Sequence, residues 1–468
     1  MKPGRSTERI ANAVRNQESV VTIESLSNEA FGVARVNGMV WFVANALPGE
    51  KMRARVIKPY KAFAIAKAME ILEESDARTV PPCSAYPRCG GCSSLHMKYA
   101  ATLEYKHAGA RDALTRIGGI ADPCMPPVIG CDNMFRYRNK GAFPVGGTAD
   151  NPLIGCFAAR SHSIIVPENG CMLHPEAVNA VLGVIRGWMI ERAVEPYDER
   201  TGTGLVRHIV TRVNRVGELL VTVVINSHEP EFAWSGELAR ALSNAVNLAG
   251  LSVSPNTNKG NVIFGKTCET IYGRQCVTET LRTPHGSIDV EVSPSSFFQV
   301  NTPQAERLIG LVLEFADVKQ GDKVCDVYAG VGTFSLPFAL AGADVTSIEI
   351  APEAVADAIR NAERNGLRLD ARAGDAAELL PVLARERGPF DCVTLDPPRK
   401  GCDAGVLESA AQAAPPRIVY VSCDPATLAR DAAVLATLGY ALVKAQTIDM
   451  FPWTNSIETV ALFTGITA

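Results

Sequence analysis

Residues 322–334 read DKVCDVYAGVGTF, and this stretch decides the fold class. A short apolar strand runs into a turn built on Gly330 and Gly332, and a helical pattern follows. From residue 293 to 468, strands and helices alternate in the same way, which is typical of a doubly wound parallel sheet. The sequence therefore predicts an α/β domain of Rossmann-like type, with its ligand beyond the carboxyl ends of the strands.

Carboxylates follow the next two predicted strands. Glu349 is placed to accept hydrogen bonds from a ribose diol, and Asp375 is placed to accept one from an adenine amino group. A nicotinamide dinucleotide would suit the same turn. However, Gly330-x-Gly332-x-x-Ser335 lacks the third glycine that dinucleotide-binding turns use for close helix packing. We therefore favour S-adenosylmethionine, which carries no pyrophosphate.

Two further strand ends carry the candidate chemistry. Asp396 and Cys423 end the fourth and fifth predicted strands, so both are expected in one crevice. A thiol there is a nucleophile if its pKa is lowered, which a helix beginning at residues 426–430 would favour. A buried structural cysteine is the alternative, and position alone favours it. Glu458 begins the final strand and is the candidate base, or else a solvated carboxylate at a strand edge.

The amino-terminal part has a different pattern. Residues 14–72 form short alternating apolar runs punctuated by Gly and Pro, as in a small antiparallel barrel. Residues 1–70 carry a net charge of +5 and the remainder −9, which indicates an anion-binding module on an acidic body. Basic residues cluster around Tyr60 and Phe63, namely Lys51, Arg53, Arg55, Lys58 and Lys61. Such an OB-like basic and aromatic face is typical of RNA binding, and the segment resembles a TRAM domain.

Three cysteines, Cys83, Cys89 and Cys92, lie within ten residues in a chain that has 13 cysteines in all. A disulfide framework is not expected in a large protein of a reducing compartment. The spacing suits thiolates that wrap one face of a metal centre, and Cys171, in a turn-like setting, is the best candidate for a fourth ligand. A tetrahedral zinc site is the alternative, but the three-plus-one arrangement favours a [4Fe–4S] cluster.

Residues 73–292 mix strands and helices and are interpreted as a central α+β domain that holds this cysteine cluster. A helix is expected over residues 95–117, packed on the carboxyl-terminal domain. No apolar stretch reaches the roughly 18 residues of a membrane span, and the first residues are polar. We expect a cytoplasmic protein that does not enter a membrane.

Four stretches together resemble the RNA uracil-C5-methyltransferase family. They are VSCDPATLARD at 421–431, LDPPRKG at 395–401, SFFQVN at 296–301, and FP at 451–452 followed by Glu458. The cysteine pattern and the amino-terminal barrel are similar to the ribosomal-RNA branch of that family. The resemblance implies a monomer that methylates C5 of a uridine, with 23S ribosomal RNA as the expected substrate, and a methyltransferase domain over residues 293–468.

The resemblance also implies residue roles. Cys423 would add to C6 of the uracil, since C5 alone is too weak a nucleophile, and Glu458 would remove the C5 proton. Cys83, Cys89, Cys92 and Cys171 would hold the [4Fe–4S] cluster. Contacts to S-adenosylmethionine would come from Gln299, Tyr328, Gly330, Thr333, Glu349, Asp375 and Asp396. Phe297 would lie near the target base, and the RNA would also meet Arg136, Lys140, Arg207 and His208.

Two positions depart from the family pattern. Asp424 stands where the family usually has Asn, and Ser456 stands where it usually has His. Three alternatives stay open: the same chemistry on transfer RNA, a methyltransferase for exocyclic amines, and a non-catalytic RNA-binding factor. Arg399 after Asp396-Pro-Pro, rather than an aromatic residue, argues against the exocyclic amine, and the intact Cys423 and Glu458 argue against a non-catalytic role.

Overall fold

The computed structural model describes residues 13–230 and 233–466. The first five residues, on which the expectation of no export signal rested, lie outside these ranges. The chain divides into two compact units, Met1–Gly109 with Trp453–Asn455, and Ala110–Pro452 with Ser456–Ala468. The domain boundaries expected from the sequence stay predictions.

The first unit is built on a six-stranded sheet with the order β1-β5-β6-β4-β3-β2. Strand β4 alternates between buried and half-buried residues, so Met39, Trp41 and Val43 enter the core. We call these six strands the amino-terminal sheet. They are β1 (Glu18–Thr22), β2 (Ser25–Leu26), β3 (Gly32–Val36), β4 (Met39–Ala44), β5 (Lys51–Pro59) and β6 (Phe63–Glu73).

Helix α1 (Tyr99–Arg116) connects to the second unit, which begins with another six-stranded sheet of order β14-β13-β12-β11-β7-β8. Its helices α2 (Glu176–Glu191) and α3 (Ser235–Ala245) share one apolar core with it. The strands of this region are β7 (Lys140–Gly147), β8 (Pro152–Ile154), β9 (Cys156–Phe157), β10 (Ile164–Ile165), β11 (Val206–Val213), β12 (Leu219–Ile225), β13 (Leu248–Pro255) and β14 (Glu269–Gly273), followed by the ribbon β15 (Val277–Thr283) and β16 (Gly286–Val292).

A seven-stranded sheet of order β19-β18-β17-β20-β21-β23-β22 completes the second unit. We call it the carboxyl-terminal sheet. Its strands are β17 (Lys323–Val327), β18 (Asp344–Glu349), β19 (Asp370–Ala373), β20 (Cys392–Leu395), β21 (Arg417–Ser422), β22 (Tyr440–Ile448) and β23 (Glu458–Gly465). Its helices are α4 (Thr302–Ala316), α5 (Ser335–Leu340), α6 (Pro352–Arg364), α7 (Ala376–Arg387), α8 (Ala404–Gln412) and α9 (Pro425–Thr437).

Helices cover both faces of the carboxyl-terminal sheet. One core contains side chains of α7, α8 and α9, and the other contains side chains of α4, α5 and α6. Strands β17 to β21 pair in parallel, whereas β23 runs antiparallel to β21 and β22. The predicted doubly wound α/β fold is confirmed. Among the described helices, none has the length and apolar character that a bilayer crossing requires.

Candidate active site

The parallel ladder brings the predicted strand-end residues to one edge of the carboxyl-terminal sheet. Since β17 to β21 run in the same direction, their carboxyl ends share that edge, and the amino end of the antiparallel β23 joins them. We call this the catalytic edge. The residues at it are Tyr328, Gly330, Glu349, Asp375, Asp396, Cys423 and Glu458.

Cys423 and Glu458 face each other at this edge. Ser422 pairs with Thr459 across the antiparallel ladder of β21 and β23, so the next position in the register sets Cys423 opposite Glu458. Opposed residues of such a ladder have Cβ atoms about 5 Å apart. Glu458 is buried, with 5% of its surface exposed, and Cys423 is half-buried. The two side chains are close enough for the charge of Glu458 to act on the Cys423 thiol.

The pKa of the Cys423 thiol differs from the sequence-based expectation. Burial raises this pKa to about 11, the negative charge of Glu458 adds to the rise, and the Arg399 guanidinium opposes it. Any lowering by the start of helix α9 is therefore outweighed by burial. Asp424 caps this helix by accepting hydrogen bonds from the amides of Ala426 (2.8 Å) and Thr427 (3.2 Å). Asp and Asn are comparable caps, which gives Asp424 a structural reason to stand where the family has Asn.

Two more charged groups act on this pair. Burial raises the pKa of Glu458 well above its ordinary value, and the charge of Asp396 raises it further while Arg399 lowers it. Burial likewise raises the pKa of Asp396 to about 7, with a further contribution from Asp326. Arg399 lies on the exposed loop after β20, and its charge opposes the rise in pKa of both Cys423 and Glu458. The carboxyls of Asp396 and Glu458 therefore hold their protons more readily than ordinary acidic side chains do.

The glycine turn after β17 is held by the next strand. Glu349 accepts hydrogen bonds from the amides of Gly330 (3.0 Å) and Ala351 (3.0 Å), so its carboxylate is fixed at the turn. Gly332 has φ +94, and a Cβ there would lie 3.1 Å from Leu336, so glycine is required. Thr333 follows, half-buried. Asp375 caps helix α7 by accepting from the Ala377 amide at 2.8 Å, and it is exposed to a ligand.

A buried carboxyl lies beneath this turn. Asp326 is fully buried in β17 and accepts a hydrogen bond from the Ser335 hydroxyl at 2.5 Å. Burial raises its pKa to about 7. Its other oxygen, Oδ1, finds no hydrogen-bond partner among the described residues. Asp326 thus adds a further carboxyl with a raised pKa to the catalytic edge.

Comparison with known proteins identifies the family. A family model described as tRNA (uracil-5-)-methyltransferase matches residues 217–465, and a TRAM domain model matches residues 14–69. The chain belongs to the RNA uracil-5-methyltransferase family. Two relatives described as uncharacterised RNA methyltransferases are similar over nearly the whole chain. The one from Halalkalibacterium halodurans is 37% identical over 96% of this chain and 97% of its own, and the one from Clostridium acetobutylicum is 36% identical over 97% and 98%.

A solved structure is similar over nearly the same length. It is the Pyrococcus abyssi tRNA (uracil-54, C5)-methyltransferase in complex with S-adenosyl-L-homocysteine, with a TM-score of 0.75 and 26% identity over 95% of this chain and 99% of that one. Together these findings confirm the predicted enzyme class, an RNA methyltransferase with a TRAM domain.

In this uracil-5-methyltransferase, Phe297, which is expected near the target base, lies on a loop whose backbone is held by hydrogen bonds. Phe297 is 72% exposed, whereas Gln299 is buried and its carbonyl accepts from Asn139 Nδ2 at 2.9 Å. The carbonyl of Ser296 accepts from Arg212 Nη2 at 2.6 Å and from Lys140 Nζ at 3.4 Å. Burial and the neighbouring Arg212 lower the pKa of Lys140 to about 8. The loop thus presents an aromatic ring from a fixed backbone.

The other expected RNA contacts take part in the fold. Arg136 donates to the carbonyls of Cys171 (3.0 Å) and His174 (2.9 Å) and forms an ion pair with Glu176. Arg207 is buried, 4% exposed, and its guanidinium lies 4.5 Å from the centre of the Tyr197 ring. Burial, followed by the charge of Arg207, lowers the pKa of the half-buried His208 to about 4.

The predicted metal ligands lie in two places. Cys83, Cys89 and Cys92 occupy a turn-rich segment of the first unit, and Cys171 belongs to the second unit. All four cysteine side chains are half-buried, and the Gly91 amide donates a hydrogen bond to Cys89 Sγ at 3.4 Å. Within residues 13–230 and 233–466, no three His, Cys, Asp or Glu side chains are gathered as a metal-binding group. The cluster stays a prediction.

Three functional residues were missed from the sequence. Asp326 and Arg212 are buried charged residues within strands, and a charged residue inside a predicted strand is the signal that the sequence offers for them. The sequence marks Arg399 only as a difference from other methyltransferases. Its effect on Cys423 depends on the conformation of a loop, and no sequence pattern predicts that conformation.

Proposed function

We propose that the protein transfers a methyl group from S-adenosylmethionine to C5 of a uridine in RNA through a covalent adduct of Cys423. The observation that carries this proposal is the register that sets Cys423 opposite Glu458 at the edge where Glu349 holds the glycine turn. A nucleophile and a base on neighbouring strands, beside a nucleoside-binding turn, suit addition followed by proton removal.

Cys423 and Glu458 act in different steps of the proposed reaction. The Cys423 thiolate forms the S–C6 bond, and the electron pair of the C5–C6 double bond moves into an enolate that makes C5 nucleophilic. C5 then takes the methyl group that S-adenosylmethionine supplies. Glu458 takes the C5 proton, and the returning electron pair expels the thiolate and restores the double bond. A raised pKa suits Glu458 for this step because it makes the carboxylate a stronger base.

The charge of S-adenosylmethionine suits the catalytic edge. Its sulfonium is a cation, and the edge carries Asp326, Asp396 and Glu458 close together. The complex of the Pyrococcus abyssi relative with S-adenosyl-L-homocysteine supports the same ligand here. We propose that it is held by Gln299, Tyr328, Gly330, Thr333, Glu349, Asp375 and Asp396.

We propose ribosomal RNA, 23S in particular, as the substrate, with the target uridine in a single-stranded or flipped-out state so that C5 reaches the edge. Phe297, Arg136, Lys140, Arg207 and His208 are the proposed RNA contacts. Transfer RNA is the second candidate, and the name of the Pyrococcus abyssi relative favours it. A monomeric state and a cytoplasmic location stay expectations.

One experiment tests both the reaction and the substrate. 5-Methyluridine is mapped in total ribosomal and transfer RNA from cells with and without the gene, and from the deletion strain complemented with wild type or with Cys423→Ala. We expect one uridine in 23S ribosomal RNA to lose its methyl group in the deletion strain and to regain it only with wild type. Loss of a transfer-RNA methyl group instead would move the proposal to the second candidate.

We further propose that Cys83, Cys89, Cys92 and Cys171 hold a [4Fe–4S] cluster. Four thiols provide the ligand set that such a cluster needs, and the amide donor at Cys89 Sγ is the kind of hydrogen bond that stabilises ligating sulfur. Anaerobically purified protein is expected to be brown and to contain about four irons per chain. A colourless protein that contains zinc would contradict the proposal.

A further inference from the structure

A buried carboxylate on helix α9 ties three elements of the catalytic edge together. Asp431 is 1% exposed, and its Oδ2 accepts hydrogen bonds from the Cys402 amide (2.9 Å) and the Tyr420 hydroxyl (2.6 Å). Cys402 ends the loop that follows β20, and Tyr420 lies in β21 three residues before Cys423. One side chain therefore joins the loop, the strand of the nucleophile and the helix behind it.

A second set of contacts holds the same loop from outside. Arg430 donates to Asp431 Oδ1 at 2.8 Å and also to the carbonyls of Lys400 (2.9 Å) and Cys402 (3.3 Å). Gly401 passes between these groups with φ +78, and a Cβ there would lie 2.6 Å from Asp431 Oδ2. The loop is thus pulled onto helix α9 so closely that only glycine fits.

The loop carries Arg399, a cation that acts on both reacting groups. Arg399 lies two residues before Gly401, and its charge opposes the influence of Glu458 and Asp396 on the Cys423 thiol. The Arg399 side chain is exposed, so its position depends on the backbone of the loop rather than on packing of its own. The contacts made by Asp431 are what fix that backbone.

We propose that Asp431 is a positioning residue, which sets where Arg399 stands relative to Cys423 and Glu458. This inference rests on the proposed function, because it assigns Arg399 the task of favouring the Cys423 thiolate. Wild-type formation of 5-methyluridine is measured first. If the wild type forms no 5-methyluridine, the proposed function is refuted. If the wild type is active, the variants test the positioning role of Asp431 separately from the proposed function.

The test is a double-mutant cycle read through the pH dependence of the rate. Asp431→Asn keeps an oxygen for Cys402 and Tyr420 but loses the charge that holds Arg430. We expect kcat to fall on the order of 10²-fold, as for other displaced catalytic groups, with a much smaller change in KM for RNA. The rising limb of the rate against pH should move to higher pH, since Arg399 no longer lowers the pKa of Cys423.

The same limb should move in Arg399→Gln, and adding Asp431→Asn to that variant should produce no further shift. Glu408→Gln, which removes an exposed acid of helix α8 outside the loop, is the matched control and should leave the profile unchanged. Arg430→Ala loosens the loop without altering the buried position, and a smaller shift in the same direction is expected, even if Asp431→Asn does not fold. Lower activity with an unchanged pH profile, or additive shifts in the double variant, would overturn the proposal.

Discussion

The catalytic edge and the amino-terminal sheet use charge in opposite ways. At the edge, the strand ladder brings buried carboxyls together, and the pKa values of Asp326, Asp396 and Glu458 all rise. In the amino-terminal sheet, charges of opposite sign face each other across neighbouring strands and cancel. The comparison shows that burial shifts the pKa of acidic groups that lie close together, whereas charge counted along a strand need not be available to a ligand.

The cations expected to bind RNA illustrate the second case. Lys51, Arg53 and Arg55 form ion pairs with glutamates on the adjacent strands, namely Glu73, Glu70 and Glu18. Lys58 instead lies over the ring of Tyr60 at 5.0 Å, and that ring stacks on Phe63 at 4.5 Å. The RNA-facing part of this sheet is thus expected to be narrower than its net charge indicates.

The largest expected effect is the removal of the nucleophile. Cys423→Ala should lower methyl transfer by at least about 10⁴-fold, the scale on which loss of a covalent nucleophile acts in other enzymes. The rate is measured as transfer of labelled methyl to RNA under single-turnover conditions. Cys124→Ala, which removes an exposed thiol, is the matched control and should keep the wild-type rate. Full activity in Cys423→Ala would refute the covalent mechanism.

Removal of the base should have the next largest effect and a distinct signature. Glu458→Gln should lower product formation by roughly 10²–10⁴-fold, because the methylated adduct cannot lose its C5 proton. An adduct of RNA with protein should accumulate and migrate as a slow band on a denaturing gel. The double variant Cys423→Ala/Glu458→Gln should form no such band. Rapid turnover without adduct would show that another group takes the proton.

These two residues show how far the sequence leads. The positions of Cys423 and Glu458 could be predicted because strand polarity alone determines which ends share an edge. Their pKa values could not, since burial and the placement of Arg399 and Asp396 depend on packing. The helix start that was expected to lower the pKa of Cys423 is occupied by its own cap, Asp424.

The amino-terminal sheet gives the complementary case. Its basic residues were visible in the sequence, but their glutamate partners lie 17 to 37 positions away and meet them only through the strand register. The cysteines could be recognised by spacing, yet spacing does not state which metal or which fourth ligand completes a centre. Contacts that depend on how strands pair in the folded chain cannot be predicted from local sequence patterns.

The buried charge at the edge should also cost stability. Asp326 has a pKa of about 7 in the folded chain and an ordinary value of 3.8, so the folded state binds more protons between these pH values. Stability should therefore fall as the pH rises from about 4 to 7 and stay low above it. Asp326→Asn should remove the contribution of Asp326 to this dependence, leaving those of Asp396 and Glu458, and raise the free energy of unfolding at pH 8 by on the order of a few kcal/mol.

Urea unfolding of wild type and Asp326→Asn at pH 5 and pH 8 measures this effect. Glu363→Gln removes an exposed charge and should change the free energy of unfolding little at either pH. If Asp326→Asn is less stable than wild type at pH 8, then the carboxylate is satisfied by a contact that outweighs its burial. In that case the burial of unsatisfied carboxyls would not be what distinguishes the catalytic edge from the amino-terminal sheet.

The smallest expected effect tests the other half of the comparison. Lys58→Ala should reduce the slope of log affinity against log salt by about 0.7 to 1 for RNA binding, since one phosphate contact is lost. Arg53→Ala removes the same unit of charge, but Glu70 already neutralises it, so the slope should change less. Affinity measured by filter binding at several salt concentrations gives both slopes. Equal reductions would mean that RNA displaces Glu70 from Arg53. In that case the cations of these ion pairs would be available to bind RNA, although glutamates neutralise them in the free protein.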